Sequence, residues 1–513
     1  MTTDALRWAV VLVWLVLVGV LVRSQLGTEQ VSPGVAEVLE PVASAPGAAD
    51  TEEAWMGVYM RDRKIGYTHH QFLPTADGYR IEEQSVLRAT VLETAQTIRF
   101  SAGGTTGRDF ALKEFDVSLK SGVGDLKVNG RVGARGISID MDVGEETRTQ
   151  ELPLDGPIYL PVGARRSLWA SGMAAGRRVQ MRVFDPSTMQ SQPVDLQVEE
   201  RVALDWNGKK VDAWRVRESF HGIETKIWLD DQGRTLREEG PMGLVTIRES
   251  AEQAVSAGWG KDGGLDLMAA VAIPVKHPLA APREQRSLVL KLGGESGLRP
   301  PDDDRQSYRD GVVRIVREDD AARASFVLPY AGREWAADLG ATTFLQSDHP
   351  KVRAKAASIL ARETDARRAA VRLRKWVYEN LEKTPVASIP NALQVLEMGR
   401  GDCNEHAVLF AALARAAGLP ARVVAGAVYV DGVFLYHAWD EVWLGEQWWS
   451  VDAAFDQMPV DATHLKLVTG GPEEHIAMLP VIGRLSIEVL SEDATIGYEP
   501  QPPSESAVAW DRR

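Results

Sequence analysis

Apolar and polar residues alternate in short runs, separated by turn signals, along much of the N-terminal half of the chain. The alternation is clear in Ile65–Leu73 and in Val211–Phe220, and a period of two predicts strands that bury one face. Asn-Gly pairs at 129–130 and 207–208 are typical of tight hairpin turns. We therefore predict a large antiparallel β domain over residues 53–260.

The pattern changes in the C-terminal half. Residues 261–345 contain two further strand candidates and are predicted to form a small β segment. Beyond them, apolar residues recur every three to four positions, which predicts helices that begin near Asp348 and Asp365. Strand patterns follow, so residues 346–483 are predicted to form an α+β domain. Residues 484–513 complete the chain as a C-terminal strand and tail, and the fold class is α+β.

An apolar run, Trp8–Val22, lies near the N-terminus between Arg7 and Arg23. It is shorter than the roughly 20 residues that usually span a bilayer, but flanking arginines can reach the interface. No small-x-small cleavage pattern follows the run directly, so an uncleaved transmembrane anchor over residues 1–23 is favoured over a cleaved signal peptide. Residues 24–52 are rich in Pro, Ala, Gly and acids, which predicts a flexible linker.

Composition narrows the choice of partners. The net charge is −14, and no basic cluster with aromatics offsets it, so nucleic acid is disfavoured as a partner. No set of ligand-type residues at metal-binding spacing stands out, and neither a metal nor another cofactor is predicted. The chain has one cysteine, Cys403, which cannot be half of an internal disulfide.

That cysteine lies in the segment Gly401 to His406. Asp402 and Glu405 have the spacing of a capping box, with one carboxylate at the N-cap and the other at N3. Cys403 would then be the first residue of a helix, where free backbone N–H groups and the helix dipole favour a thiolate. The alternative interpretation is a buried, inert small side chain.

A predicted hairpin brings two further residues together. Its strands contain His437 and Asp452, and Gly445-Glu446 suits a two-residue turn. A two-residue loop pairs Trp443 with Trp448 and places His437 on the same face as Asp452, one diagonal step away. Asp452 can then accept from one imidazole nitrogen of His437 while the other nitrogen faces Cys403, as in a nucleophilic triad.

At these residues the chain resembles the transglutaminase-like superfamily, whose papain-like core has the same order of elements. The resemblance extends over roughly residues 345 to 470, and four segments carry it: Gly401 to Cys403, Leu413 to Arg422, His437 to Val442 and Trp448 to Ala453. It implies that Cys403 is the nucleophile, His437 the base and acid, and Asp452 the orienting carboxylate. Members of the superfamily differ between amide hydrolysis, amide transfer and loss of activity, so the resemblance does not fix the reaction.

The expected function is a membrane-anchored cysteine hydrolase, a peptidase or amidase, or an amide acyltransferase that acts through a thioester. Hydrolysis is favoured because water is always present, whereas transfer needs a site for the amine. The expected partners are a protein or peptide amide substrate and the membrane. The expected location is the inner membrane, crossed once, with the body facing the periplasm. The alternative is a non-catalytic envelope binding or assembly protein that works through its β domain.

Overall fold

The computed structural model describes residues 37–38 and most of 51–494. The gaps within the second range are residues 61, 92–93, 121–124, 135, 144–145, 155, 186–189, 207, 221–222, 257–270, 295–298, 320–324, 385–390, 472–477 and 479–480. The predicted anchor and most of the predicted linker lie outside the described residues. Within that linker, Glu37–Val38 form a short strand that pairs with Val179 and Gln180 rather than flexible chain. Within those residues, no helix has the length and apolar character that a membrane crossing requires. The described residues form two units, one before and one after the gap at residues 257–270.

The first unit is built on one sheet of fifteen strands. The strands are β1 (Glu37–Val38), β2 (Glu52–Met60), β3 (Arg63–Thr75), β4 (Gly78–Val91), β5 (Thr94–Thr106), β6 (Leu112–Lys120), β7 (Asp125–Val132), β8 (Gly136–Val143), β9 (Glu146–Pro153), β10 (Arg178–Asp185), β11 (Gln190–Trp206), β12 (Lys209–Phe220), β13 (Ile223–Leu229), β14 (Thr235–Glu239) and β15 (Leu244–Glu249). Their order is β1, β10 to β15, then β2 to β9. Every pairing is antiparallel except that of β1 with β10. The predicted large antiparallel sheet is confirmed.

Among its described residues this unit also has two α-helices, α1 (Pro161–Ala170) and α2 (Ala251–Val255). A short 3₁₀ turn, Pro241–Gly243, precedes β15. Arg165 of α1 is 4% exposed and pairs with two buried carboxylates, Glu218 at 3.0 Å and Glu238 at 2.8 Å. A buried cation between two carboxylates is tolerated because each charge finds hydrogen-bonding partners.

One predicted turn of the first unit is wrong. Asn129-Gly130 lies inside β7, where Gly130 pairs with Phe115 of β6. A Cβ at Gly130 would come within 2.0 Å of the Phe115 ring. The glycine therefore makes room for an aromatic ring from the neighbouring strand rather than for a tight turn. The second predicted turn is confirmed, since Trp206 pairs with Lys209 across residues 207–208.

The second unit mixes helices with smaller sheets. Its helices are α3 (Pro350–Leu360), α4 (Ala366–Asn380), α5 (Ala392–Met398) and α6 (Cys403–Ala416), and a 3₁₀ turn covers Pro282–Glu284. Its strands are β16 (Ile273–Pro274), β17 (Gln285–Gly293), β18 (Gln306–Arg309), β19 (Val312–Val316), β20 (Glu382–Lys383), β21 (Arg400–Gly401), β22 (Ala421–Val430), β23 (Val433–Trp443), β24 (Trp448–Val451), β25 (His464–Thr469) and β26 (Ser486–Ala494). The described chain is thus mostly β, with its longer helices in the C-terminal half.

The core of this unit is formed by α6 and a five-stranded sheet. Strands β16, β23, β22 and β25 lie side by side, and β24 pairs with β23. Every residue of α6 from Cys403 to Arg415 is buried, as its apolar composition predicts. The helix packs on β22 and β23, while α3, α4 and α5 pack around it.

A second sheet, in the order β18, β19, β17 and β26, joins distant parts of the chain. Strand β17 belongs to the predicted small β segment, and β26 to the predicted C-terminal strand and tail. The two segments therefore share one sheet. Among the predicted helix starts, Asp365 caps α4 through a 2.9 Å bond from the Arg368 N–H. The cap of α3 is His349 rather than the predicted Asp348.

Candidate active site

The helix that begins at Cys403 starts with a complete capping box. The Asp402 carboxylate accepts from the Asn404 N–H at 2.7 Å, and Glu405 reaches back to the Asp402 N–H at 3.0 Å. The predicted capping box is confirmed. Gly401 makes room for it, because a Cβ at this position would lie 2.2 Å from the Glu405 side chain. Local sequence therefore fixes Cys403 at the first turn, where backbone N–H groups have no partner within the helix.

The predicted hairpin also forms with the predicted register. Trp443 pairs with Trp448 and Glu441 with Ser450, and Gly445 takes a positive φ of 98° in the turn. The ladder ends at the pair of Asp440 with Val451, one residue before Asp452. Asp452 leaves it because its backbone N–H and C=O pair with Gln457 instead.

His437 and Asp452 nevertheless come together. The Nε2 atom of His437 lies 2.7 Å from Oδ2 of Asp452. The other carboxylate oxygen of Asp452 accepts the backbone N–H groups of Ala454, at 2.7 Å, and Phe455, at 2.9 Å. These bonds fix the carboxylate and leave Nδ1 as the nitrogen of His437 that can serve the thiol.

Cys403 lies against the residue that follows His437. Its thiol is hydrogen-bonded by the backbone N–H of Ala438, in the middle of β23. The structure thus brings the beginning of α6 next to the part of β23 that carries the histidine. The side chains of Cys403, His437 and Asp452 are all almost completely buried, with residue exposures of 2%, 1% and 0%.

Burial determines the charge state of the site. It raises the pKa of the Cys403 thiol well above its usual range, and the negative charge of Asp402 acts in the same direction. Burial also lowers the pKa of His437, although Asp452 opposes this shift. The resting pair is therefore neutral. The helix start alone favours a thiolate, but here removal from water and the neighbouring carboxylates outweigh the helix dipole.

Asp452 stays ionised in the same surroundings. Burial disfavours its charge, but the interactions of its carboxylate with the imidazoles of His437 and His464 outweigh burial and hold the pKa of Asp452 well below its usual value. It therefore acts as an acceptor of hydrogen bonds rather than as a donor.

A second histidine, His464, lies behind the predicted triad. Its Nε2 is 3.2 Å from Oδ2 of Asp452, and its Nδ1 is 3.3 Å from Oδ1 of Asp461. No motif in the sequence links His464 to His437, so the sequence alone does not predict its place in the site. It reaches the site only because β25 pairs with β22 and β22 with β23.

The side-chain nitrogens of His437 and His464 and a carboxylate oxygen of Asp452 lie within 4.8 Å of one another. Such a spacing is compatible with a bound metal ion. In this structure, however, hydrogen bonds from both imidazoles converge on the same oxygen of Asp452.

Comparison with known proteins shows which family part of the chain matches. Residues 353–453 match the family model of the transglutaminase-like superfamily, whereas no curated protein matches the chain. Among solved structures, a candidate cysteine protease from Cytophaga hutchinsonii is 18% identical over 45% of this chain and 90% of its own, with a TM-score of 0.28. A candidate protease from Parabacteroides distasonis is 10% identical over 77% and 69% of the two chains, with a TM-score of 0.20. A β-barrel-like protein of a domain of unknown function from Brucella abortus is 13% identical over 39% and 95%, with a TM-score of 0.31.

Cys403, His437 and Asp452 all lie within the matched residues. The cysteine lies on a buried helix and the histidine on a strand, in the predicted order. Asp452 was predicted within the next strand, but it lies one residue beyond the end of β24. Residues 353–453 of this chain therefore form a domain of the transglutaminase-like superfamily.

Proposed function

We propose that this protein is a cysteine hydrolase, a peptidase or amidase, that cleaves amides through a thioester on Cys403. The observation that carries the proposal is the 2.7 Å contact between Nε2 of His437 and Asp452. It leaves Nδ1 of His437 to act on a thiol that is already hydrogen-bonded to the adjacent Ala438 N–H. A nucleophile, a base and a group that orients the base are the parts that such chemistry needs.

In the first half of the reaction, Nδ1 of His437 takes the proton of the Cys403 thiol as sulfur attacks the amide carbonyl carbon. The resulting oxyanion is stabilised by the backbone N–H of Cys403 at the start of α6. His437 then gives the proton to the nitrogen of the substrate, the C–N bond breaks, and an amine leaves. Asp452 stabilises the imidazolium that exists between these two proton transfers.

In the second half, water attacks the thioester carbon and His437 takes one of its protons. The C–S bond breaks, the proton returns to sulfur, and a carboxylic acid leaves. The resting neutral pair fits this cycle, because the proton moves only when a substrate is present.

Hydrolysis is distinguished from transfer by supplying both acceptors at once. The full-length protein would be incubated with labelled glutaminyl and peptide substrates together with a primary amine. Release of the free acid supports hydrolysis, whereas incorporation of the amine without acid would assign the protein as an acyltransferase. No product with wild type, together with full complementation in cells by Cys403→Ala, would favour a non-catalytic envelope binding or assembly role.

We also propose that the apolar run Trp8–Val22 anchors the chain in the inner membrane and that the body faces the periplasm. The support is the sequence pattern, one apolar run flanked by arginines and followed by a linker rich in Pro, Ala and Gly. The substrates would then be envelope proteins or peptides.

A further inference from the structure

His464 is fully buried and faces a carboxylate at each of its ring nitrogens. Its Nε2 is 3.2 Å from Asp452 and its Nδ1 is 3.3 Å from Asp461. Neither contact is needed to hold β25 in place, because the backbone of that strand pairs with β22. The two contacts place a buried imidazole between two acids, next to His437, where it can act on the triad.

Both carboxylates are surrounded by other donors. Asp452 accepts from His437 and from two backbone N–H groups. Asp461 accepts from the N–H of Thr463 at 2.8 Å, from its hydroxyl at 2.5 Å, and from Arg283 at 2.9 Å. Carboxylates with so many donors are ionised and can only accept.

If both carboxylates only accept, both nitrogens of His464 must donate. An imidazole that donates from Nδ1 and from Nε2 carries two protons and a positive charge. We propose that His464 is a positioning residue for the triad, a buried cation that holds Asp452 in place and balances its charge next to His437.

The consequence for the triad is electrostatic. The rings of His464 and His437 are 5.7 Å apart, so a charge on one acts strongly on the other. A positive charge behind Asp452 acts together with burial to keep Nδ1 of His437 from being protonated in the resting state, and it favours the thiolate once the proton has moved. Asp452 alone would act in the opposite direction and hold His437 as an imidazolium.

The surroundings of His464 contain few other charges. The titratable groups that face it are Asp452 from the turn after β24, Asp461 from the loop before β25, and His437 from β23. Arg283 pairs with Asp461 at 2.9 Å and also lies over the Phe455 ring. The remaining neighbours are aromatic rings, Trp439 at 5.3 Å and Phe455 at 5.9 Å.

The single cysteine of the chain makes this charge measurable. Alkylation of the full-length protein by iodoacetamide reports on Cys403 alone, and its rate follows the thiolate fraction. The measurement needs no substrate. The inference rests on the proposed function only where it concerns turnover, so the two can fail separately.

The test compares the pH dependence of alkylation in wild type and in His464→Gln. Glutamine keeps a donor towards Asp452 but removes the charge. Loss of a positive charge raises the pKa of nearby groups, so we expect the alkylation profile to move by about 1–2 units to higher pH. His277→Gln makes the same chemical change at an exposed histidine of the same unit and should leave the profile in place.

If His464→Gln does not fold, as judged by circular dichroism, His464→Asn is used with the same expectation. A variant that folds and keeps the wild-type profile would show that His464 is neutral and overturn the proposal. Stoichiometric zinc binding by wild type that is lost in His464→Gln, without a pH shift in zinc-free protein, would overturn it too. If amides are hydrolysed, kcat of His464→Gln should fall about tenfold with KM unchanged.

Discussion

The side chains of Cys403, His437 and Asp452 are removed from solvent, and their roles can be separated by substitution. Cys403→Ala should abolish amide hydrolysis while the fold persists, since the thiol is the nucleophile. Asp452→Asn should lower kcat about 10²- to 10⁴-fold, because an amide no longer fixes the tautomer of His437 or stabilises its cation. Steady-state kinetics with a labelled peptide would measure both. A near-normal rate for Asp452→Asn would mean that another carboxylate orients the histidine.

His406 is a second titrating group on α6, one turn after the cysteine. It is fully buried, its Nδ1 lies 2.5 Å from the backbone oxygen of Asp402, and burial lowers its pKa to about 4. An unfolded histidine titrates near pH 6.5. Between these values the unfolded chain binds more protons than the folded one, so the free energy of unfolding falls as the pH drops.

This loss should reach about 3 kcal/mol by pH 4. His406→Gln removes the titrating group, and its free energy of unfolding should decline less than that of wild type over the same range. Urea unfolding from about pH 7 to about pH 4 would measure both declines. His277→Gln should keep the wild-type decline. Parallel curves for wild type and His406→Gln would contradict the prediction.

At the scale of elements, the start of α6 depends on one close approach. Gly401 leaves room for Glu405 to complete the capping box. Gly401→Ala should displace that carboxylate, lower the free energy of unfolding by about 1–2 kcal/mol and change the alkylation rate of Cys403. Chemical unfolding and mass spectrometry of the alkylated protein would measure the two effects.

Gly133→Ala is the matched control, because a Cβ there finds its nearest atom at 3.5 Å and meets no clash. It should leave both the free energy of unfolding and the alkylation rate close to wild type. If Gly401→Ala behaved in the same way, the capping box would not be what fixes Cys403.

Local signals made α6 and the hairpin predictable. The capping box lies within four consecutive residues, and the hairpin register follows from a two-residue turn between patterned strands. His464 was not predictable in this way, because it reaches Asp452 only through the pairing of β25 with β22. Asn129-Gly130 has the local pattern of a turn, but Phe115 on another strand decides its structure. Likewise, β17 pairs with β26 across about 200 residues of chain, and no local pattern encodes that contact.

Within the second unit, a buried ion pair connects the residues that flank β18 and β19 with the segment that contains Asp452. Arg305 pairs with Glu318 at 2.7 Å and also donates to the backbone oxygens of Val460 and Asp461. Glu318 in turn accepts from the N–H of Ser450, at 2.8 Å. These bonds fix both ends of the segment that contains Asp452.

Arg305→Met should therefore lower the free energy of unfolding by about 3–5 kcal/mol, since it leaves Glu318 buried without its partner. The double variant Arg305→Met/Glu318→Gln should lose less than the sum of the two single changes. Chemical unfolding of the four proteins would measure this coupling. Additive losses would show that the pair does not act as a unit.

At the scale of the whole molecule, the proposed anchor fixes which substrates the site can meet. With the body in the periplasm, protease added to intact spheroplasts should digest it while a cytosolic control protein survives. Residues 24–36, which precede β1, would allow the body to range some 20 Å from the bilayer, at about 5–6 Å times the square root of their number. Protection of the body until the membrane is lysed would contradict the proposed topology.

The order of strands in the first unit has a mechanical consequence. Strands β2 to β15 follow one another along the chain. The first and the last of them are nevertheless direct neighbours in the sheet, with Trp55 opposite Glu249. Chain that enters before β2 and chain that leaves after β15 are therefore attached at the same end of one antiparallel ladder. Tension between these two points would load the hydrogen bonds of that ladder one pair at a time, as in unzipping, rather than all together in shear. When the protein is pulled away from an anchored N-terminus, the two-residue pairing of β1 with β10 would be loaded first, and the β2–β15 ladder would open after it.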